Sequence, residues 1–202
     1  MPRRRDPASI STVTLLERLQ PWDVHHVLRE LVGARPAVAP LAEEIARTLL
    51  KHVSCEQVAQ DVEDSVRSLD IEDLDSGPTP FGYTEPVEAA WEVLEATVQP
   101  FVEDLKRHIE LALEAEALEI CKGVLLGLYR LRDDESHDVL GHAPDFPDEA
   151  AGDALATWRR TQRMNGGKKL RRRRPDFPLD FVSGSIPAWR GLVDRVLRRA
   201  RG

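Results

Sequence analysis

The sequence predicts an all-α protein, an antiparallel helical bundle or short α-solenoid of about six to eight helices, with a basic C-terminal tail ending in an amphipathic helix. Three observations carry this expectation. Apolar residues recur at i, i+3, i+4 and i+7 over most of the 202 residues. Prolines and glycines fall at the borders of those periodic stretches. Aromatics are 5% of the chain and hydrophobic residues 42%, so the core must be built of Leu, Val, Ala and Ile, which suits helix packing better than a β-sandwich.

Residues 1–11 read as a disordered arm, followed by a helical domain over 12–163. Thr14-Leu15-Leu16-Glu17 is a capping-box pattern that opens a short helix ending near Gln20. Pro21 suits the first position of a second helix, with Trp22, Val24, Val27, Leu28, Leu31 and Val32 as its apolar stripe and Gly33 as its stop. Pro36 starts a third helix, in which Val38, Leu41, Ile45, Leu49 and Leu50 keep helical spacing. Ser54-Cys55-Glu56-Gln57 is another capping box. It opens a fourth helix with Val58, Val62, Val66 and Leu69 on one face.

From Asp70 to Thr84 the turn formers Gly77, Pro78, Pro80 and Gly82 break the pattern. The longest periodic region runs from Val87 to Leu131. Pro100 is expected to kink or split it, because an interior proline removes a backbone bond and clashes with the preceding turn. A second break near Ala112–Glu116 would give an antiparallel helix pair. Arg132 to Pro147 reads as a loop, and a further helix spans about 148–163. A basic linker over 164–186 then leads to an amphipathic helix over 187–202. The tetrapeptide Pro-Asp-Phe-Pro occurs twice, at Pro144–Pro147 and Pro175–Pro178. It is either a chance pair or two copies of a short docking peptide.

The net charge of −7 hides a division. From Arg159 to Gly202 there are fourteen Lys or Arg against three Asp, so the preceding part is strongly acidic. Two parts of opposite charge suggest two different partners. No apolar run approaches the roughly 18–20 residues that span a bilayer. Two cysteines, Cys55 and Cys121, are too few for a disulfide framework, and no apolar leader follows the charged N-terminus. The expectation is a cytoplasmic protein with free, buried thiols.

Candidate chemistry is sparse. Asp70, Glu72, Asp73 and Asp75 with Gly77 faintly resemble a calcium loop, but the spacing slips by one and the twelfth residue is Phe81 rather than Glu. His52 with Cys55, and His108 with Cys121, lack the second ligand pair of a structural zinc site. His25 and His26 are adjacent and point to different faces of a helix. His137 and His142, near Asp138 and Asp145, could form a carboxylate-oriented histidine site or plain surface polarity. There is no G-x-S-x-G elbow, and Gly166-Gly167-Lys168 lacks the remainder of a phosphate loop. No catalytic residue, cofactor or metal is expected.

The sharpest local signal is basic. Lys168, Lys169, Arg171, Arg172, Arg173 and Arg174 put six cations in seven residues. They could neutralise phosphates and bind nucleic acid in a salt-sensitive way, or meet an acidic protein surface, this chain's own body included. On the terminal helix Trp189, Leu192, Val193, Val196 and Leu197 share one face. That stripe fits helix-in-groove docking, onto the body or onto a partner.

Phe81-Gly82-Tyr83, Val87, Trp91, Val93-Leu94, Ile120 and Leu125-Leu126 carry a family resemblance, as do Leu28-Arg29-Glu30-Leu31-Val32 and Ala34-Arg35-Pro36. These stretches resemble the helical region that accompanies SWIM zinc fingers in large bacterial proteins, over about residues 25–130. The resemblance implies α-solenoid-like helix pairing and no catalytic role. The finger itself is absent, because Cys55 and Cys121 cannot supply its C-x-C and C-x-H pairs. The richness in Arg, Ala, Leu and Val looks like that of a high-GC bacterium.

The functional expectation is a non-enzymatic protein–protein interaction or adaptor module with an acidic helical body and a basic docking tail. The alternatives are a nucleic-acid-associated protein that binds the phosphate backbone through its Arg-rich tail, and a helical-bundle metalloenzyme built on the histidines.

Overall fold

The computed structural model describes residues 18–74, 77–79, 82–134, 137–165 and 176–199. The fold is all-α. Nine α-helices lie among the described residues, with one short hairpin of two three-residue strands. The chain divides into two compact units, Met1–Leu50 and Lys51–Gly202.

In the first unit, α1 spans Pro21–Ala34 and α2 spans Ala39–Leu50. Pro21 takes the first helical position, and Asp23 Oδ2 accepts from the Gln20 backbone N–H at 3.2 Å. A 3-10 turn, Pro36–Val38, joins the helices. The expected helix over 14–20 lies almost wholly outside the described residues. Both helices carry the expected apolar stripes, yet no residue of either is buried.

The second unit holds the core. Its first helix, α3, spans Cys55–Arg67. The Ser54 hydroxyl accepts from Gln57 N–H at 3.4 Å, but the Gln57 side chain turns outward and donates to Asp61 Oδ1 at 2.8 Å. Only half of the expected capping box forms. The described residues of the expected break at 70–84 include regular elements. A 3-10 turn at Ile71–Asp73 leads to β1 (Gly77–Thr79) and β2 (Gly82–Thr84), paired antiparallel with Pro78 opposite Tyr83.

Helix α4 runs unbroken from Pro86 to Glu110 through Pro100, where the sequence predicts a kink or split. The lost backbone bond is offset because Leu94 and Val98 before the proline, and Leu105 and Ile109 after it, are all buried in the same core. The expected break follows. Leu113 N–H donates to His108 O at 2.9 Å and Ala112 N–H to Ile109 O at 3.0 Å, with Ala112 at φ 58°. This is a Schellman closure with alanine at the left-handed position where glycine is usual.

Helix α5 spans Glu114–Leu131 and is the centre of the unit, with nine residues buried from Ala117 to Leu131. It packs on α3 and α4, and on α7, which spans Phe146–Asn165. The loop expected over 132–147 contains α6, Asp138–His142, capped by His137, whose ring accepts from Leu140 N–H at 3.4 Å. Val139 and Leu140 bury that turn, which explains why a polar-looking stretch is helical. The expected linker over 164–186 contains α8, Leu179–Ser185, with Val182 buried. A 3-10 turn, Pro187–Trp189, then leads into α9, Arg190–Arg199.

The tightest contact is between α3 and α5. A Cβ on Gly123 would lie 2.5 Å from Val58 Cβ and 2.8 Å from Cys55 O. One on Gly127 would lie 2.6 Å from Ala59 O and 2.9 Å from Val62 Cβ. Alanine at Gly127 gains about 1 kcal/mol of helix propensity but forces backbone apart, at about 1–3 kcal/mol for overpacking. Gly127→Ala should therefore lower the denaturant midpoint. Gly152→Ala on α7, where a Cβ would meet nothing within 4 Å, should raise it. Ala112→Gly relieves the left-handed backbone and should stabilise by about 1 kcal/mol in the same unfolding experiment.

Candidate docking surfaces

The basic residues Lys168, Lys169, Arg171, Arg172, Arg173 and Arg174 lie outside the described residues. Their flanks are described, and these change the picture of a tail. Helix α7 ends at Asn165, and Phe177 is buried with its ring edge-on to Trp158, centroids 5.4 Å apart. The described chain resumes at Asp176, one residue before this buried anchor.

The two Pro-Asp-Phe-Pro copies act alike. Phe146 packs edge-on to Trp91 at 5.2 Å, as Phe177 does to Trp158, and both phenylalanines are buried. The first copy opens α7 at its own Phe146, and α8 follows the second at Leu179. Each copy therefore docks within its own chain, where an edge-to-face pair adds about 0.5–1.5 kcal/mol beyond burial.

The terminal stripe is also used internally. Trp189 and Val193 are buried, while Leu192, Val196 and Leu197 are half-buried and packed against the core. The Trp189 indole N–H donates to Asp148 Oδ1 at 2.7 Å, and its ring stands edge-on to Tyr129 at 5.2 Å. Of the two expected destinations, the groove is on the body. Burying the indole against α5 and α7 satisfies its polar atom and its apolar faces together.

The titratable groups singled out in the sequence stay apart. His108 is buried, and its Nδ1 lies 2.9 Å from Asp104 O. Cys121 is fully buried on α5; burial first, and Cys55 second, push its thiol far above the ordinary range. Cys55 is raised too, mainly by burial. Both are thereby poor nucleophiles. The His25 and His26 rings lie 6.4 Å apart, and His26 stands edge-on to Trp22. Among the described residues no group of three or more His, Cys, Asp or Glu converges. Among them, too, no helix is long and apolar enough to cross a membrane.

Two surfaces remain. The first is an open groove of about 900 Å³ between α7 and α9, floored by Trp189, Leu192 and Val196. Glu149 and Asp153 line it together with Arg160, Arg195 and Arg199, which have no carboxylate partner among the described residues. The second is the pair of apolar faces in the first unit. On α1, Val24, Val27, Leu28 and Leu31 share one face. On α2, Leu41, Ile45 and Leu49 share another. All seven are between 42% and 70% exposed. The sequence marked these as core stripes. Nothing local could have shown otherwise, because an amphipathic pattern is the same whether its face meets its own chain or another molecule.

Internal docking of the C-terminal segment has a direct check. Trp189→Ala and Phe177→Ala should each cost about 3–5 kcal/mol in denaturant unfolding of the isolated protein. A midpoint unchanged by either would show that the segment is not held by the body.

Compared with protein-family models, curated proteins and solved structures, the chain matches none.

Proposed function

We propose that this protein is a non-enzymatic protein–protein interaction module. The reading rests on one observation: α1 and α2 present seven large aliphatic side chains to solvent and bury none. Helices of 14 and 12 residues are marginal alone in water, and gain stability by packing an amphipathic face. A face left open in the free chain is a face available for another helix, read through i, i+3, i+4 and i+7 anchors. The second unit then serves as the folded carrier, and the charge along it sets which partners approach.

A second reading, phosphate-backbone binding, is favoured by a separate observation. Arg160, Arg195 and Arg199, without carboxylate partners among the described residues, line one groove. They lie in the same part of the sequence as the six cations of 168–174. The two readings separate by salt and by variant. Leu28→Glu/Ile45→Glu should change the stability of the second unit by less than about 0.5 kcal/mol, as exposed substitutions do, yet abolish recovery of protein partners by the tagged full-length chain. If the partner set is unchanged by the pair, or is lost on nuclease treatment or at raised salt instead, the interaction-module reading fails and the phosphate reading takes its place.

A further inference from the structure

The partner of the exposed face can be specified further, on the reading just given: we propose that α1 and α2 dock onto the same helices of a second copy of this chain, forming a two-fold dimer. A two-fold interface needs a surface complementary to itself, in which residue i meets j and j meets i. Both stripes have that property when the helices run antiparallel. On α2 the spacing is symmetric about Ile45, so Ile45 meets its own counterpart and Leu41 meets the partner's Leu49. On α1 the pattern is symmetric as well: Val24 is matched by the partner's Leu31, and Val27 by the partner's Leu28.

Charge allows the same occupant. Beyond residue 50 the charge is divided, an acidic body followed by a basic stretch from Arg159 to Gly202. Between residues 18 and 50 there are four arginines and four carboxylates, a neutral patch. Two copies that meet there bring no net charge against each other. Area agrees too. At the exposures given, the seven side chains offer roughly 600 Å² per copy before flanking contacts are added, against the roughly 800 Å² each partner contributes to a standard interface.

The test uses the full-length chain. Its mass is measured by sedimentation equilibrium across low to high micromolar concentration, alone and as Ile45→Glu/Leu49→Glu. In parallel, Ile45→Cys in a Cys55→Ser background is oxidised with copper–phenanthroline and, separately, labelled with a maleimide. The expected result is a species of twice 22.7 kDa that the double glutamate variant converts to monomer. It comes with a disulfide cross-link in the Ile45→Cys variant that Glu43→Cys, on the opposite side of α2, does not form. A dimer indifferent to the two glutamates overturns the proposal. So does a wild-type chain that stays monomeric, and the labelling then separates two cases. A monomer whose introduced thiol reacts freely leaves the docking face standing with a different partner. A monomer whose introduced thiol is protected has the face covered within one chain, and the interaction-module reading falls with the proposal.

Discussion

The structure of the second unit depends on how closely α3 can approach α5. Two glycines one turn apart, Gly123 and Gly127, let the backbone of α3 sit where side chains would otherwise stand, with Ala59 O and Cys55 O against α5. That approach lets Val62 and Val66 join Val124, Leu125 and Leu128 in one cluster. Dispersion over so many close contacts is collectively large. It also leaves Cys121 without water, which is why its thiol stays protonated and chemically quiet. Ion pairs close the rim of the same contact. Arg130 reaches Glu56 at 2.7 Å and Glu63 at 3.6 Å, and Arg67 reaches Glu63 and Asp134. These exposed pairs add little energy, but they fix the order of the charged side chains along the seam.

The C-terminal half is held by a different device. Three aromatic pairs, Trp91 with Phe146, Trp158 with Phe177, and Trp189 with Tyr129, sit where successive segments meet the bundle. In a chain with only 5% aromatics, three of its four tryptophans serve as such anchors, and the Trp158–Phe177 pair secures a short element. Helix α8 has seven residues and one buried side chain of its own. It stays in place because Phe177 before it and Ile186 after it are buried.

The two units differ in what their apolar stripes meet. In the second, nearly every stripe is covered internally, including the terminal one. In the first, the same kind of stripe remains open. That contrast, rather than any constellation of reactive groups, is what gives the proposed function its direction.

By itself the sequence determined the helical class, the break between α4 and α5, the Pro21 and Ser54 starts, and the opposition of charge, while the helix expected from Pro36 begins at Ala39 after a 3-10 turn. These follow from local physics, since 3.6-residue periodicity and capping chemistry act within a few positions. It also marked Trp189 and its neighbours as a docking stripe. What it could not decide was where each stripe docks. The same pattern is buried on α9 and open on α2, because amphipathicity states that a face seeks apolar company and not whose. Only the tertiary structure showed that both Pro-Asp-Phe-Pro copies dock on tryptophans of their own chain, and that the polar stretch at 132–147 is helical around Val139 and Leu140. It alone showed that Pro100 does not break a helix whose two halves share one core. Each of those outcomes is set by contacts between residues distant in sequence, and local pattern carries no information about them.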